Sequence, residues 1–443
     1  MQKRIQWLLS QLPDLQKEGV LDEATANRLR QHYQPQLTKQ GPNTALLLTS
    51  ILGALLIGTG IISIFAYNWE SLSRPVRVVL SLLPLLIAQG LYVFTFYRKA
   101  DSPPWTESTA AFLLLMLGAA IALISQTYHI PGTMEGYLKT WMILSIPLLF
   151  LTRSTLVTIL YLAGITGWLM AVKEDFGESS GRELGYWLFF LAVVPHLWQE
   201  LKDRSPSIRG NLLGWATAIS LSIAVGLLVE WDVDTQVLLA YGTLFGSLYV
   251  LGRWVYGQGE YFWYRPWQTA AIAGVYVMSL ILAYEWHFEP DTWAKTLHGE
   301  DFPRWAALTN AGLGILGLLG TAFAAWWLPK QGTRLNYVLV AYPLLVIVGI
   351  LFGQADLATV SMILFNAYLF GLGVLYLWRG LQYNALGLVN AGMLFIASLL
   401  VMRFFDSNIS FVVKGIVFIL IGLGFFAVNF ILIRKRKNLP DHV

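Results

Sequence analysis

Residues 45–67 read ALLLTSILGALLIGTGIISIFAY, twenty-three consecutive positions without a charged side chain. Inside hydrocarbon no water pairs with a peptide N–H or C=O, so such a stretch crosses a bilayer only as a helix that satisfies its own backbone. About 20 apolar residues cover the roughly 30 Å of hydrocarbon. The run ends in the polar NWESLSRPVR of 68–77, and a new apolar run then begins. The pattern repeats along the chain. Spans are expected at 45–67, 76–96, 108–127, 138–152, 154–172, 184–200, 212–230, 236–252, 267–286, 305–328, 336–353, 357–378, 384–402 and 411–433, about fourteen by length. Only Thr152, Arg153 and Ser154 separate the fourth from the fifth, so 138–172 reads as two spans or as one broken or re-entrant element.

The composition agrees. The chain has 443 residues, 56% hydrophobic and 13% charged, whereas a soluble domain carries about 25% charged residues. Many of the 18 Trp and 20 Tyr flank polar loops, where amphipathic rings favour the headgroup layer. There is no cysteine, which excludes disulfides, thiolate metal sites and cysteine nucleophiles. The net charge of +4 is spread over short loops and a tail, so no nucleic-acid partner is expected. The first forty residues hold no apolar h-region of a cleavable signal.

Those forty residues read as a small cytoplasmic helical hairpin. Ile5, Leu8, Leu9, Leu12 and Leu15 recur at helical spacing, interrupted by Pro13. Gly19 ends the segment, and Asp22 is placed to cap a second helix carrying Ala26, Leu29 and Tyr33. A hairpin this short buries no core of its own. It is expected to pack on the membrane domain of 41–443, on its copy in a homo-oligomer, or on a protein partner.

Basic residues orient the spans. With the N-terminus inside, the inner segments hold 21 of the 30 Lys and Arg but 10 of the 26 Asp and Glu, as the positive-inside rule requires. Both termini are then cytoplasmic, in what reads as a bacterial inner membrane. Small residues four apart, such as Ala54/Gly58, Gly118/Ala122 and Gly320/Ala324, suit close helix packing. A weak echo links LLAYGTLFGSLYVLGRW (238–254) with LFNAYLFGLGVLYLWRG (364–380). Possible halves are 41–205 and 206–443, since repeats occur in transporters, although chance apolar similarity also produces such echoes.

Three polar clusters stand at span ends assigned to the outer face: Asn68, Glu70, Arg74 and Arg77; Gln126 and His129; Arg403 and Asp406. Arg74, Arg77 and Arg403 oppose the orientation bias, which calls for specific partners, with Glu70 and Asp406 the nearest acids. A guanidinium fork matches phosphate and carboxylate headgroups. Structural ion pairs and snorkelling at the rim are the competing account. His196, after Pro195, reads as a helix-end hydrogen bonder, and the six histidines show no ligand spacing, so no metal site is expected. The acidic outer loop 173–183 reads as a solvated connection. Mid-span polar residues are neutral: Gln89, Asn366, Asn390 and Asn429. A charge at the membrane centre costs at least about 2.5–3.5 kcal/mol and is kept where ion coupling needs it, so its absence counts against a proton- or sodium-coupled pump. No phosphate loop, nucleophile elbow or zinc-protease helix appears, and no cofactor is expected.

LGALLIGTGIISIFAYNWESLSRPVR (52–77), GAAIALISQTYHIPG (118–132) and LLFLTRSTL (148–156), with GVLDEATANRL (19–29) before them, resemble a bacterial membrane family known as domain of unknown function 2157. Residues 387–429 resemble the closing region of such proteins more loosely. The resemblance implies a multi-span inner-membrane protein with no assigned activity and no catalytic residues to carry over. The expectation is an all-α polytopic bundle in contact with membrane lipids. Its function is read as a transporter or lipid/envelope-precursor translocator using the outer clusters, or as a scaffold or sensor recruiting a partner through the hairpin.

Overall fold

The structure, a computed structural model, describes residues 2–38, 69–176, 181–202, 207–229, 234–257, 262–284, 335–383 and 385–406, with scattered helical positions between 312 and 326 and between 412 and 430. Among the described residues all regular structure is helical. Two units are distinguished, Met1–Val79 and Leu80–Val443.

In the first unit, α1 (Gln2–Lys17) and α2 (Glu23–Thr38) form a hairpin that buries Leu12 and Ala26 completely. α1 runs through Pro13. It stops at Gly19, in the left-handed region with φ 73°, where Val20 N–H donates to Leu15 O at 3.0 Å and Gly19 N–H to Gln16 O at 3.2 Å. That pair of bonds is the Schellman stop, which satisfies carbonyls the helix end would orphan. Asp22 caps α2, its carboxylate accepting from Thr25 N–H at 3.3 Å. A hydrogen bond from the Thr25 side chain, aided by this backbone bond, holds the Asp22 carboxyl below its ordinary value. The same unit holds a short 3-10 turn at Trp69–Ser71 and the start of α3 (Arg74–Arg98).

The second unit continues α3 and adds α4 (Pro103–Tyr128), α5 (Met134–Thr152), α6 (Thr155–Phe176), α7 (Gly185–Leu201), α8 (Ile208–Leu228), α9 (Asp234–Tyr256), α10 (Pro266–Ile281), α11 (Leu335–Val340), α12 (Tyr342–Gln354), α13 (Ala358–Gln382) and α14 (Leu386–Asp406). Among the described residues, five stretches are long and apolar enough to cross a membrane: Arg74–Arg98, Pro103–Tyr128, Thr155–Asp175, Ile208–Leu228 and Ala358–Gln382. Pro266–Ile281, Tyr342–Gly353 and Leu386–Met402 are shorter apolar helices. Large apolar side chains such as Leu86, Phe96, Leu188 and Leu191 lie exposed, as a lipid-facing surface requires.

The ambiguous region 138–172 forms two antiparallel helices. Arg153, in the left-handed region with φ 47°, turns the chain between α5 and α6. Glu135 at the start of α5 meets Asp175 near the end of α6, and Met142 lies against Gly164. At 1.5 Å per residue each helix is roughly 30 Å long, too long for a shallow re-entrant turn. The expected span 336–353 is broken into α11 and α12. Pro343 offers no amide hydrogen and its ring crowds the preceding turn; it packs instead against Gly246 of α9. The spans expected at 45–67, 305–328 and 411–433 lie wholly or largely outside the described residues.

Among the described residues two large apolar cores and two small clusters form. One gathers Met142, Tyr161, Ile165, Leu169, Tyr186 and Leu213 around α6. The other gathers Leu248, Val275, Tyr342, Phe365, Leu369 and Phe395 from α9–α14. Glycine lets neighbouring helices close up. The Trp141 ring sits where a Gly118 Cβ would be, with Cε2 2.4 Å from that position, and its indole N–H donates to Leu114 O at 3.0 Å.

Candidate functional site

The outer-face residues divide between the units. Asn68 lies outside the described residues. Glu70, in the Trp69–Ser71 turn, and Arg74, the first residue of α3, are exposed. Arg77 donates Nη2–H to Glu70 O at 2.7 Å and Nε–H to Leu72 O at 2.9 Å. These bonds fasten the turn to the helix, and the oxygen they use on Glu70 belongs to the main chain. In the second unit, Gln126 and His129 are exposed at the end of α4. His129 has φ 52°; its N–H donates to Gln126 O at 3.3 Å and Ile130 N–H to Ser125 O at 2.9 Å. His129 therefore takes the Schellman position that glycine usually fills. Arg403 and Asp406 lie in the last turn of α14.

A more enclosed set of polar groups follows α6. At its N-terminus Glu107 of α4 receives Ser154 Oγ–H at 2.5 Å, Leu156 N–H at 2.9 Å and Thr155 N–H at 3.2 Å. Arg209 Nη2 stands 3.7 Å from the same carboxylate. The four orphan amides and positive dipole end of a helix favour a carboxylate there. His196 of α7 lies within electrostatic range of Glu107, Glu200, Arg153 and Arg209. It is buried, and its Nε2 has no hydrogen-bond partner among the described residues. It lies within α7, one turn short of the end where a helix-terminal role would place it. Thr155 Oγ1, Tyr161 OH and both amide atoms of Asn211 are likewise buried without such a partner.

Further along, Ser220 Oγ of α8 bonds Thr166 Oγ1 and Tyr186 OH, each at 2.7 Å. At the far end, Glu135 accepts from Lys139 Nζ at 2.9 Å and Trp168 Nε1–H at 3.2 Å. Lys173 Nζ lies 3.9 Å from Glu183 Oε1. Glu183 is 0% exposed, so the 173–183 segment is not simply a solvated connection. Gly185, two residues on, packs against the Trp168 ring. Thr155, Thr166 and Lys173 are spaced by eleven and seven, and Tyr161, Trp168 and Asp175 by seven. Each spacing returns a helix to one face. Polar groups thus run in two rows along α6 over 20 residues, roughly 30 Å at 1.5 Å per residue, the thickness of the hydrocarbon layer.

Residues 13–158 match the family described as predicted membrane protein, DUF2157. No curated protein and no solved structure matches the chain. The chain is a membrane protein with several candidate spans and no established function. The DUF2157 stretch contains Glu107, Ser154, Thr155 and Leu156, so the carboxylate-to-helix contact falls inside it. It also contains Glu135. The later partners of α6, Tyr186 and Ser220, fall beyond it, as does His196.

Sequence reasoning overlooked Glu107, Glu135 and Glu183 because each stands within a turn of an expected span end, where charges are unremarkable. Among the described residues no group of three or more His, Cys, Asp or Glu could hold a metal ion.

Proposed function

We propose that this protein is a transporter of a bacterial cytoplasmic membrane, with about fourteen spans and both termini cytoplasmic, moving a small polar solute or the polar head of a lipid-like precursor. One observation carries the reading: the two polar rows along α6, with Tyr161, His196 and Asn211 buried and unpartnered among the described residues nearby. A buried polar group left unpaired costs about 1–3 kcal/mol, and a core serving only as an anchor has no use for several. A solute with donors and acceptors, or the water accompanying it, satisfies them in passage. Asn68, Glu70, Arg74 and Arg77, and separately Gln126, His129, Arg403 and Asp406, supply in this reading outer-rim groups able to meet a substrate's headgroup.

The absence of native cysteine makes the test direct. Thr166→Cys and Ser220→Cys should react with a water-soluble, membrane-impermeant maleimide in intact proteoliposomes. Leu188→Cys, on the exposed apolar surface of α7, should not. If the two interior cysteines prove as unreactive as the lipid-facing one, no aqueous path follows α6 and the transporter reading falls. The scaffold or sensor alternative then takes precedence. Val20, exposed at the tip of the α1–α2 hairpin, is the apolar group a partner or second copy would cover.

A further inference from the structure

The start of α8, the end of α9 and the start of α10 meet at one end of the second unit. The Tyr256 hydroxyl, on the last residue of α9, donates to Gly210 O of α8 at 3.1 Å. Gln268 Nε2–H of α10 donates to Gly257 O at 3.0 Å. At this end Arg209 of α8 stands 3.7 Å from Glu107. Charges are costly in hydrocarbon, so this pair marks the level at which α8 leaves the headgroup layer. From Ile208 to Leu228 the helix has 21 residues, roughly 31 Å, which matches the hydrocarbon thickness.

α10 begins below that level. A Cβ on Gly214 would lie 2.4 Å from Pro266 Cγ. The first residue of α10 therefore rests on α8 five residues inward of Arg209, about 7 Å along the helix axis. α9 gives the same answer. A Cβ on Gly252 would lie 2.8 Å from Gln268 N, and Gly252 stands four residues before the end of α9, about 6 Å inward. α10 itself has 16 residues, about 24 Å, which is about 6 Å short of the hydrocarbon layer.

The turn leading into α10 is held at this depth. Phe262, Trp263 and Tyr264 form one 3-10 turn. The Thr269 hydroxyl donates to Phe262 O at 2.9 Å, and the Trp215 indole N–H donates to Trp263 O at 3.3 Å. The Trp215 and Trp263 rings lie 5.6 Å apart, and Trp215 is six residues inward of Arg209. Phe262 is nevertheless 66% exposed, and Trp263 and Tyr264 are exposed as well. Arg265, next in the chain, is half-buried, and a long arginine stem lets its charge sit shallower than its Cα. The rings also continue an apolar stripe. Ile208, Leu212 and Ile219 are exposed on α8, and their spacings of four and seven put them on the face that carries Trp215.

We propose that Phe262, Trp263 and Tyr264 form a lipid-contact wedge, sunk into one leaflet at the boundary between headgroups and acyl chains. Trp and Tyr rings favour that layer because each has an apolar body and a polar handle. The occupant of the surface is membrane lipid, and the wedge does not depend on the transporter reading.

The test uses the full chain in proteoliposomes of phosphatidylcholine and phosphatidylglycerol. With no native cysteine, a single introduced cysteine carries a spin label. Its collisions with oxygen, which concentrates in lipid, and with a water-soluble nickel chelate report its depth. Ile208→Cys and Ile219→Cys supply references near the surface and in the interior, eleven residues apart on α8, about 16 Å. Phe262→Cys should give an oxygen-to-nickel ratio several-fold above that of Ile208→Cys, approaching that of Ile219→Cys. A ratio at or below that of Ile208→Cys puts the turn in water and overturns the wedge. A label shielded from both reagents means that a second copy or a protein partner covers the turn, which overturns it as well. Should Phe262→Cys fail to fold, Tyr264→Cys, read against the same two references, decides.

Discussion

Glu107 and Ser154, 47 residues apart in sequence, meet at 2.5 Å, and the carboxylate continues onto the first two amides of α6. A neighbouring helix thus caps α6 from outside, in addition to Ser154 Oγ, which accepts from Val157 N–H at 3.2 Å. Removing the charge with Glu107→Gln should cost about 1–2 kcal/mol, the scale of a lost cap together with a dipole interaction. Ser154→Ala should cost about 1 kcal/mol. Because the two share one network, the double variant should fall short of the sum by at least about 0.5 kcal/mol. Reversible unfolding of all four proteins in detergent measures this; strict additivity would mean the contact contributes nothing.

His129 makes an opposite prediction. It occupies a left-handed position where a Cβ costs roughly 1–2 kcal/mol, while its side chain is exposed. His129→Gly should raise stability by about 1 kcal/mol by relieving that strain. If the variant is more stable yet the proposed transport is lost, the imidazole serves the proposed substrate; if that activity persists, His129 is a helix stop. A fall in stability would contradict the backbone argument.

Gly118 tests the packing between α4 and α5. An alanine Cβ would fall 2.4 Å from Trp141 Cε2, so the indole would have to shift and weaken its bond to Leu114 O. Gly118→Ala should destabilise by about 1–3 kcal/mol, the usual cost of overpacking, visible as a lower unfolding temperature and a changed Trp emission spectrum. The same substitution at Gly90, where nothing lies within 4 Å of the added carbon, should be silent or slightly stabilising.

The hairpin carries a pH signature. Thr25 holds the Asp22 carboxyl below its ordinary 3.8. A carboxyl whose folded pKa is depressed contributes stability that is fully present above the unfolded value and is lost as pH falls through the folded one. Protection of the Thr25 amide from hydrogen exchange should therefore decline below about pH 3.8 in the wild type. In Asp22→Asn, whose side chain caps without titrating, protection should not change over that range.

Orientation can be read with reporter tags at positions 180 and 205, on either side of α7. They should report opposite compartments, 205 on the cytoplasmic side. Tags found in one compartment would reverse every later loop and remove the outer rim from the transporter reading.

Membrane residence and helical class were written in the chain, because 443 residues with 13% charge offer long uncharged runs that only a helix carries through hydrocarbon. Gly19 and Asp22 likewise announced the stop of α1 and the cap of α2, since both act within four residues of themselves. Contacts distant in sequence were not legible. Glu183 in a loop rich in charge looks solvated yet is fully buried in the fold, and Glu107 looks like one more interfacial acid until α6 starts beside it. Hydropathy and capping are properties of short windows, whereas burial and charge convergence depend on which helices become neighbours, and only tertiary packing decides that.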